Sequence, residues 1–382
     1  MEQAGLYIHF PFCTRKCAYC DFYSIDADID QITAFIDAAL AELKSYRNHN
    51  TFQSVQFKTI FLGGGTPSLL TPDQVSGILE NIGLTFCISQ DVEITLEANP
   101  ESLSLEKLTA YRQAGVNRLS LGIQSFCDHQ LKTLGRVHSA KQAYRAVANA
   151  RHAGFENISI DLMFAIPGQT LADWKENLSA AVSLNLNHIS TYCLTVEPDT
   201  ALAQKVATNQ IITASEETER KMYLLSIDFL MSHGFRQYEI SNFSLPNWQC
   251  RHNQIYWQLS PYLGIGPSAH SYWRHHRHWN LCDLHQYIEK LNRAQSPIED
   301  EEFLTPQQQQ FEYIMLQLRT TSGLNLSHFQ TSFQKSFLTQ YAKILQCLDR
   351  HPEKPLYQLG NGRFMLTNQG LVLYDEICSL FD

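Results

Sequence analysis

The chain has no stretch approaching the ~20 consecutive apolar residues of a membrane span. Its opening, Met-Glu-Gln-Ala-Gly-Leu-Tyr, has neither a basic segment nor a long apolar one, so no secretory signal is visible. The expectation is a cytoplasmic protein. Positive charge is scarce: 29 Lys and Arg against 38 Asp and Glu leave a net charge of −9. Such a chain lacks the positive field that non-specific nucleic-acid binding needs, so nucleic acid is not an expected partner. Internal repeats and low-complexity tracts are also missing. Charged residues make up only 18%, whereas 44% of the 382 residues are hydrophobic, enough for one large domain and a smaller one.

What the chain does have is a regular alternation of short β-rich runs and amphipathic stretches. Strands are predicted at Leu6–His9, Thr59–Leu62, Val92–Leu96, Arg118–Gly122, Ile158–Leu162 and His188–Leu194. Helical patterns lie between them, near Ile32–Tyr46, Pro72–Ile82, Leu105–Ala114, Ala140–Ala153 and Leu171–Leu184, with a longer one at Ser215–His233. Six strands alternating with helices imply a parallel sheet with right-handed crossovers. The fold class is therefore α/β, a partial (β/α)6 TIM-like barrel over residues 1–235; an open doubly wound sheet fits the same pattern. Residues 236–300 read as a connecting region, loop-like over Tyr238–Tyr287 and dense in aromatic and histidine residues. Residues 301–382 read as a mostly helical, winged-helix-like domain, with a hairpin of Leu356–Leu359 and Arg363–Leu366 about Gly360-Asn361-Gly362.

Ten cysteines are present, and three crowd into one segment after the first predicted strand. Cys13, Cys17 and Cys20 are spaced C-x3-C-x2-C. Three thiolates at this spacing can wrap one face of a [4Fe–4S] cluster, because soft sulfur suits iron–sulfur chemistry. A cube of four irons then keeps one iron open for an outside chelate. A zinc site normally takes four ligands, and His9 is the nearest candidate for a fourth. The other seven cysteines (Cys87, Cys127, Cys193, Cys250, Cys282, Cys347 and Cys378) are expected as small buried hydrophobes.

The cysteine segment resembles the radical S-adenosylmethionine superfamily. Over nearly the whole chain, the sequence looks like the oxygen-independent coproporphyrinogen III dehydrogenase family, and within it the heme chaperone branch. Landmarks appear in family order: Tyr7 six residues before Cys13, Tyr19 beside Cys20, Gly64-Gly65-Thr66 after strand two, Glu97, Gln124, Arg136 and Asp161. The resemblance implies that these positions contact S-adenosylmethionine at the mouth of the barrel. Backbone amides freed by Gly64 and Gly65 can approach the methionine end closely, since glycine has no Cβ. Arg136 can pair with its carboxylate by a two-point contact. Glu97 and Asp161 are hydrogen-bond acceptors for an amine or for ribose hydroxyls.

A second motif, H-N-x-x-Y-W, spans His252, Asn253, Tyr256 and Trp257. In the heme chaperone branch this motif is associated with heme binding, and imidazole does ligate heme iron. His252 is the candidate ligand, with His270 and Cys250 as further ones. Arg251, Arg274 and Arg277 are candidates for the heme propionates. From its residues alone, this stretch reads rather as a packed lid or a domain joint, and it is the resemblance that implies heme.

Two departures separate the chain from the dehydrogenases it resembles. Those enzymes carry a longer segment before the cluster, and another cysteine two residues after the third ligand; here Cys20 is followed by Asp21-Phe22. Both departures favour the chaperone branch, which implies heme and acceptor hemoproteins as partners. Respiratory, membrane-bound acceptors would place the chain peripherally at a membrane. The competing readings are radical decarboxylation of coproporphyrinogen III propionates to vinyls, and radical chemistry on an unrelated substrate. Monomer and dimer stay equally open.

Overall fold

The computed structural model describes residues 1–48, 52 and 55–382. Six parallel strands stand side by side in chain order: β1 (Glu2–Phe10), β2 (Val55–Gly64), β3 (Cys87–Ala98), β4 (Arg118–Gln124), β5 (Asn157–Phe164) and β6 (His188–Cys193). A doubly wound sheet reverses its strand order midway. This one never does, so it is an incomplete barrel wound in one direction. The crossovers carry helices α1 (Ile29–Ser45), α2 (Pro72–Thr85), α3 (Leu105–Gln113), α4 (Ala140–His152) and α5 (Leu171–Ser183); α6 (Glu216–Ser232) follows β6. Each starts at a side-chain cap. Asp28, Thr71, Ser104, Ser139, Thr170 and Ser215 accept the amide three residues on, which satisfies one otherwise orphaned donor.

The strands have two chemically different faces. Leu6, Ile8, Ile60, Leu62, Leu96, Leu119, Leu121, Ile158, Ile160 and Ile189 point outward into the core shared with the helices. Tyr7, Glu97, Arg118, Ser120, Asp161, His188 and Ser190 point inward and line a polar lumen of about 180 Å³. The hydrophobic layer therefore surrounds the barrel, and the interior is left for hydrogen-bonding groups.

Residues 236–300 extend this sheet and are not the loop-like connector expected. At one edge, β7 (Arg236–Gln237) and β8 (Asn242–Ser244) add antiparallel to β6. The chain then crosses through the short helix α7 (Arg251–Trp257) to the far edge, where β9 (Tyr262–Ile265) pairs parallel to β1. Antiparallel β10 (His270–Trp273), β11 (His276–Asn280) and β12 (Ile298–Phe303) complete a twelve-stranded sheet. These strands are short and mixed in polarity, so no two-residue period is visible in them. Pairing with β1, more than 250 residues upstream, is what makes β9 a strand. Glu42 of α1 fastens the region from behind: it accepts hydrogen bonds from the Gly266 N–H, from Asn280 and from Tyr287 of α8 (Leu284–Asn292). Burial pushes the Glu42 carboxyl up to about 7.

The C-terminal part begins with α9 (Pro306–Leu318) and contains a small three-stranded antiparallel sheet of Leu324–Asn325, Tyr357–Gly360 and Arg363–Leu366. The last two strands form the expected hairpin. Phe329, Phe337, Phe364 and Phe381 are fully packed there. Arg319 ties this part to the barrel, pairing with the buried Glu239 at 2.7 Å and lying 4.6 Å over the Trp257 ring. No helix among the described residues is long and apolar enough to cross a membrane. Cys250 and Cys378 are buried as expected, but Cys87, Cys193, Cys282 and Cys347 are exposed. Cys87 opens β3 and Cys193 closes β6, while Cys282 lies in the turn after β11, places where side chains leave the core.

Candidate functional site

The cysteine loop leaves the C-terminal end of β1 and crosses the barrel mouth. Backbone bonds hold its base: Ile25 N–H to Pro11 O at 2.7 Å, Ala27 N–H to Cys13 O at 2.9 Å and Thr66 N–H to Phe12 O at 2.7 Å. Cys13, Cys17 and Cys20 are free thiols and partly exposed. The Thr66 hydroxyl donates to Cys13 Sγ at 3.4 Å, and Arg136 Nη1 to Cys17 Sγ at 3.3 Å. Burial pushes the Cys13 thiol up and the Cys20 thiol up to about 11. A cationic group among them would favour the thiolates, as metal coordination does. Three soft donors with a hydroxyl and a guanidinium bonded to their sulfurs fit an iron–sulfur cluster. The zinc alternative fares worse. Both His9 nitrogens are engaged, Nε2 with Tyr23 O at 2.9 Å and Nδ1 with Tyr7 OH at 3.1 Å. Among the described residues, no three His, Cys, Asp or Glu side chains gather as a single-ion site.

Of the other residues expected at the mouth, Gly65, Thr66 and Arg136 meet this loop or its base, with some changes in what they do. Gly64 has φ +104° and its N–H donates to Glu97 Oε2 at 3.2 Å; a Cβ there would meet the His9 ring at 2.7 Å. Gly65 donates to Phe10 O at 2.7 Å, and a Cβ on it would strike Phe12 O at 2.5 Å. The amides of this turn are thus already committed, not freed for a ligand. Glycine is required because the turn presses against the base of the cysteine loop. Arg136 is likewise spent: its Nη2 donates to Gly122 O at 2.7 Å and to Asn99, in addition to the Cys17 contact. It stands between loop and barrel, close to Tyr19, whose hydroxyl burial pushes up.

Glu97 and Asp161 lie in the lumen. Burial and the neighbouring Asp161 push Glu97 up to about 8, and burial also raises Asp161, opposed by Ser190 and Arg118. Gln124 ends β4 at φ +65°, a strained conformation for a residue with a side chain, and its buried Oε1 has no hydrogen-bond partner. An orphaned acceptor on strained backbone at the C-terminal end of a barrel strand fits a polar ligand at the mouth. Beneath the cysteine loop, a cavity of about 420 Å³ is lined by Tyr7, His9, Phe22, Tyr23, Gly64 and Glu97.

The structure divides the second motif. Cys250 caps α7, and the buried Glu93 of β3 accepts the Arg251 and His252 N–H groups at 3.2 and 3.1 Å. His252 is 1% exposed. Its Nδ1 is bonded to the Thr59 hydroxyl at 2.7 Å, its Nε2 to the Tyr256 hydroxyl at 2.8 Å, and its ring stacks on Phe61 at 5.0 Å. Burial, with the Arg118 charge adding to it, holds the imidazole neutral, down to about 3. Asn253 and Tyr256 also face the lumen, whereas Trp257 turns the other way, under Arg319. Gln317 of α9 donates to the Trp257 carbonyl at 2.7 Å. The three arginines expected near propionates are all paired: Arg251 with Asp91, Arg274 with Glu2, and Arg277 with Glu302 and Glu312.

Asn99, Arg118 and His188 were not singled out from sequence. Asn99 links Thr66 to Arg136, and Arg118 and His188 line the lumen. Part of the signal was present: Glu97, Ser120 and Asp161 are polar members of strands whose immediate neighbours are apolar, as in Ile158-Ser159-Ile160-Asp161-Leu162.

Comparison with known proteins gives the family of the chain. Residues 7–181 match the radical SAM superfamily, and residues 304–373 the HemN C-terminal domain. The heme chaperone HemW of Bacillus subtilis is 36% identical over 379 residues, covering 98% of either chain. That of Lactococcus lactis is 35% identical over 375 residues, covering 98% of this chain and 96% of its own. Among solved structures, coproporphyrinogen III oxidase (HemN) of Escherichia coli superposes with a TM-score of 0.84 at 23% identity, over 100% of this chain and 90% of its own. That likeness is one of fold.

Proposed function

The chain belongs to the HemW family of radical SAM proteins, and from that premise we propose that it is a heme chaperone that binds heme and passes it to acceptor hemoproteins. The observation that carries the reading is the 36% identity to a heme chaperone over 98% of both chains. In this reading Cys13, Cys17 and Cys20 hold a [4Fe–4S] cluster. S-adenosylmethionine lies against Tyr7, Tyr19, Gly64, Gly65, Thr66, Glu97, Gln124, Arg136 and Asp161. Together the two groups supply one-electron cleavage of a sulfonium bond.

The chain's own residues have defined tasks. Thr66 and Arg136 donate to thiolate sulfur, which lowers the cost of gathering negative charge in the loop. Glu97, raised by burial, keeps its proton at neutral pH and offers a ligand both a donor and an acceptor. Phe22, 62% exposed at the end of the loop, offers an apolar face toward the cavity mouth. Heme bound beyond that mouth lies within reach of the cluster side of the barrel.

The test is an anaerobic heme titration of the cluster-reconstituted protein, followed by addition of an apo-hemoprotein acceptor. Saturable one-site binding, then growth of the acceptor's Soret band, is expected. A protein that takes up no heme, or that converts coproporphyrinogen III to protoporphyrinogen under reducing conditions, overturns the reading.

A further inference from the structure

If heme is the cargo, the protein must offer an open nitrogen ligand, and His252 does not. Both of its ring nitrogens are bonded, and its ring is sealed between Phe61 and Tyr256 at 1% exposure. Using it would require α7 to leave the barrel and would strand Thr59 and Glu93 in the interior. Two neighbouring histidines are engaged too. His275 Nδ1 bonds Tyr272 OH at 3.3 Å, and His276 Nε2 pairs with Glu301 at 3.0 Å.

His270 is different. It is the first residue of β10 and exposed. Among the described residues, neither of its ring nitrogens has a hydrogen-bond partner. The imidazole is braced by Trp279 of β11, stacked at 5.7 Å. It lines two cavities at once. One is the cavity beneath the cysteine loop. The other is an outer groove of about 460 Å³ between the β10–β11 hairpin and α9, walled by Leu259, Tyr262, Tyr272, Met315 and Leu316. Tyr256, Tyr262 and His270 belong to both.

We propose that the outer groove is the heme seat and that His270, not His252, is the protein ligand to the heme iron. This rests on the heme chaperone reading. The groove's volume is within the range of pockets for small flat ligands, and its walls are the aromatic and apolar groups that pack on a porphyrin face. Its charge sets the orientation. Arg277 already pairs with Glu302 at 3.1 Å and Glu312 at 2.6 Å, so these groups together carry one excess negative charge. Heme propionates are repelled there and face solvent, while the apolar edge of the ring enters toward Met315 and Leu316. The iron then stands at the passage to the cysteine loop. The second motif acts at one remove: His252 holds the Tyr256 hydroxyl, and Tyr256 forms part of the groove wall.

The experiment compares native protein, His270→Ala and His270→Met, each full length and cluster-reconstituted, by anaerobic heme titration with absorbance and electron paramagnetic resonance. His270→Ala should weaken heme at least tenfold, about 1.4 kcal/mol, and added imidazole should restore the native spectrum. His270→Met should bind heme with the spectrum of thioether ligation. Native ligation and affinity in both variants overturn the assignment and leave the chaperone reading standing. No saturable binding by native protein overturns the reading itself, and the assignment with it.

Discussion

The cysteine loop and the H-N-x-x-Y-W helix are the two segments that stand out as motifs, and the fold treats them oppositely. The loop lies at the rim with three free thiols, held by backbone bonds at its base and at Ala18 and by the Thr66 and Arg136 contacts to sulfur. The helix lies inside, with His252 bonded at both nitrogens and its first amides on Glu93. The difference teaches that a recognisable string of residues need not present its reactive atoms to a ligand. A motif with open donors on a surface loop is available for coordination. A motif whose imidazole is bonded at both nitrogens within the protein is part of the scaffold that shapes a neighbouring site.

The contrast predicts a double dissociation. The largest effect is on the cluster. Replacing Cys13, Cys17 and Cys20 by Ala should reduce iron and sulfide after reconstitution to background, with unfolding of the apo-protein in urea changed by less than about 1 kcal/mol, as expected for partly exposed loop positions outside the hydrophobic core. A large loss of apo stability would show the loop to be structural as well. The second effect runs the other way. His252→Ala leaves the buried Thr59 hydroxyl and the Tyr256 hydroxyl without their partner and opens a void beside Phe61. It should cost about 3 kcal/mol or more in urea unfolding while iron and sulfide content stay native. Loss of the cluster without loss of stability would break the comparison.

The smallest effect tests the rear anchor of the added strands. Glu42 has its carboxyl raised to about 7 against an ordinary 4.5. Between those values the folded protein keeps a proton that the unfolded chain has released. Stability conferred by this group is therefore complete below about 4.5 and is lost as pH rises to about 7, by at most about 1.4 kcal/mol per pH unit. Glu97 acts in the same direction up to about 8. Unfolding free energies measured from pH 4.5 to 8 should fall with pH, and Glu42→Gln should flatten the part below 7. A slope unchanged in that variant would assign the titration to the lumen carboxyls alone.

Much of the barrel was legible in the sequence because its signals are local. Each of the six expected parallel strands lies at an observed one, since the outward face of every strand is apolar and each following helix begins at a capping side chain. The cysteine spacing is legible for the same reason: three thiols within eight residues sit on one loop whatever else the chain does. The added strands β9 to β12 were not legible, being short and mixed in polarity, with β9, which joins them to the barrel, paired to a partner at the other end of the chain. Nor were the tasks of Gly65 and Arg136, whose partners Phe10, Phe12, Cys17 and Gly122 are known only once the loop has folded over the strand ends.

The sequence by itself determined the α/β alternation and the close spacing of Cys13, Cys17 and Cys20, because spacing and two-residue periods act between neighbours in the chain. Only the tertiary structure decided which way the second motif faces, which arginines are already paired and that His270 is left open toward two cavities. Those outcomes depend on contacts such as Thr59 with His252, 193 residues apart, and Glu42 with Tyr287, 245 apart. A side chain's availability is set by what the folded protein places within hydrogen-bond distance of it, and no local pattern contains that information.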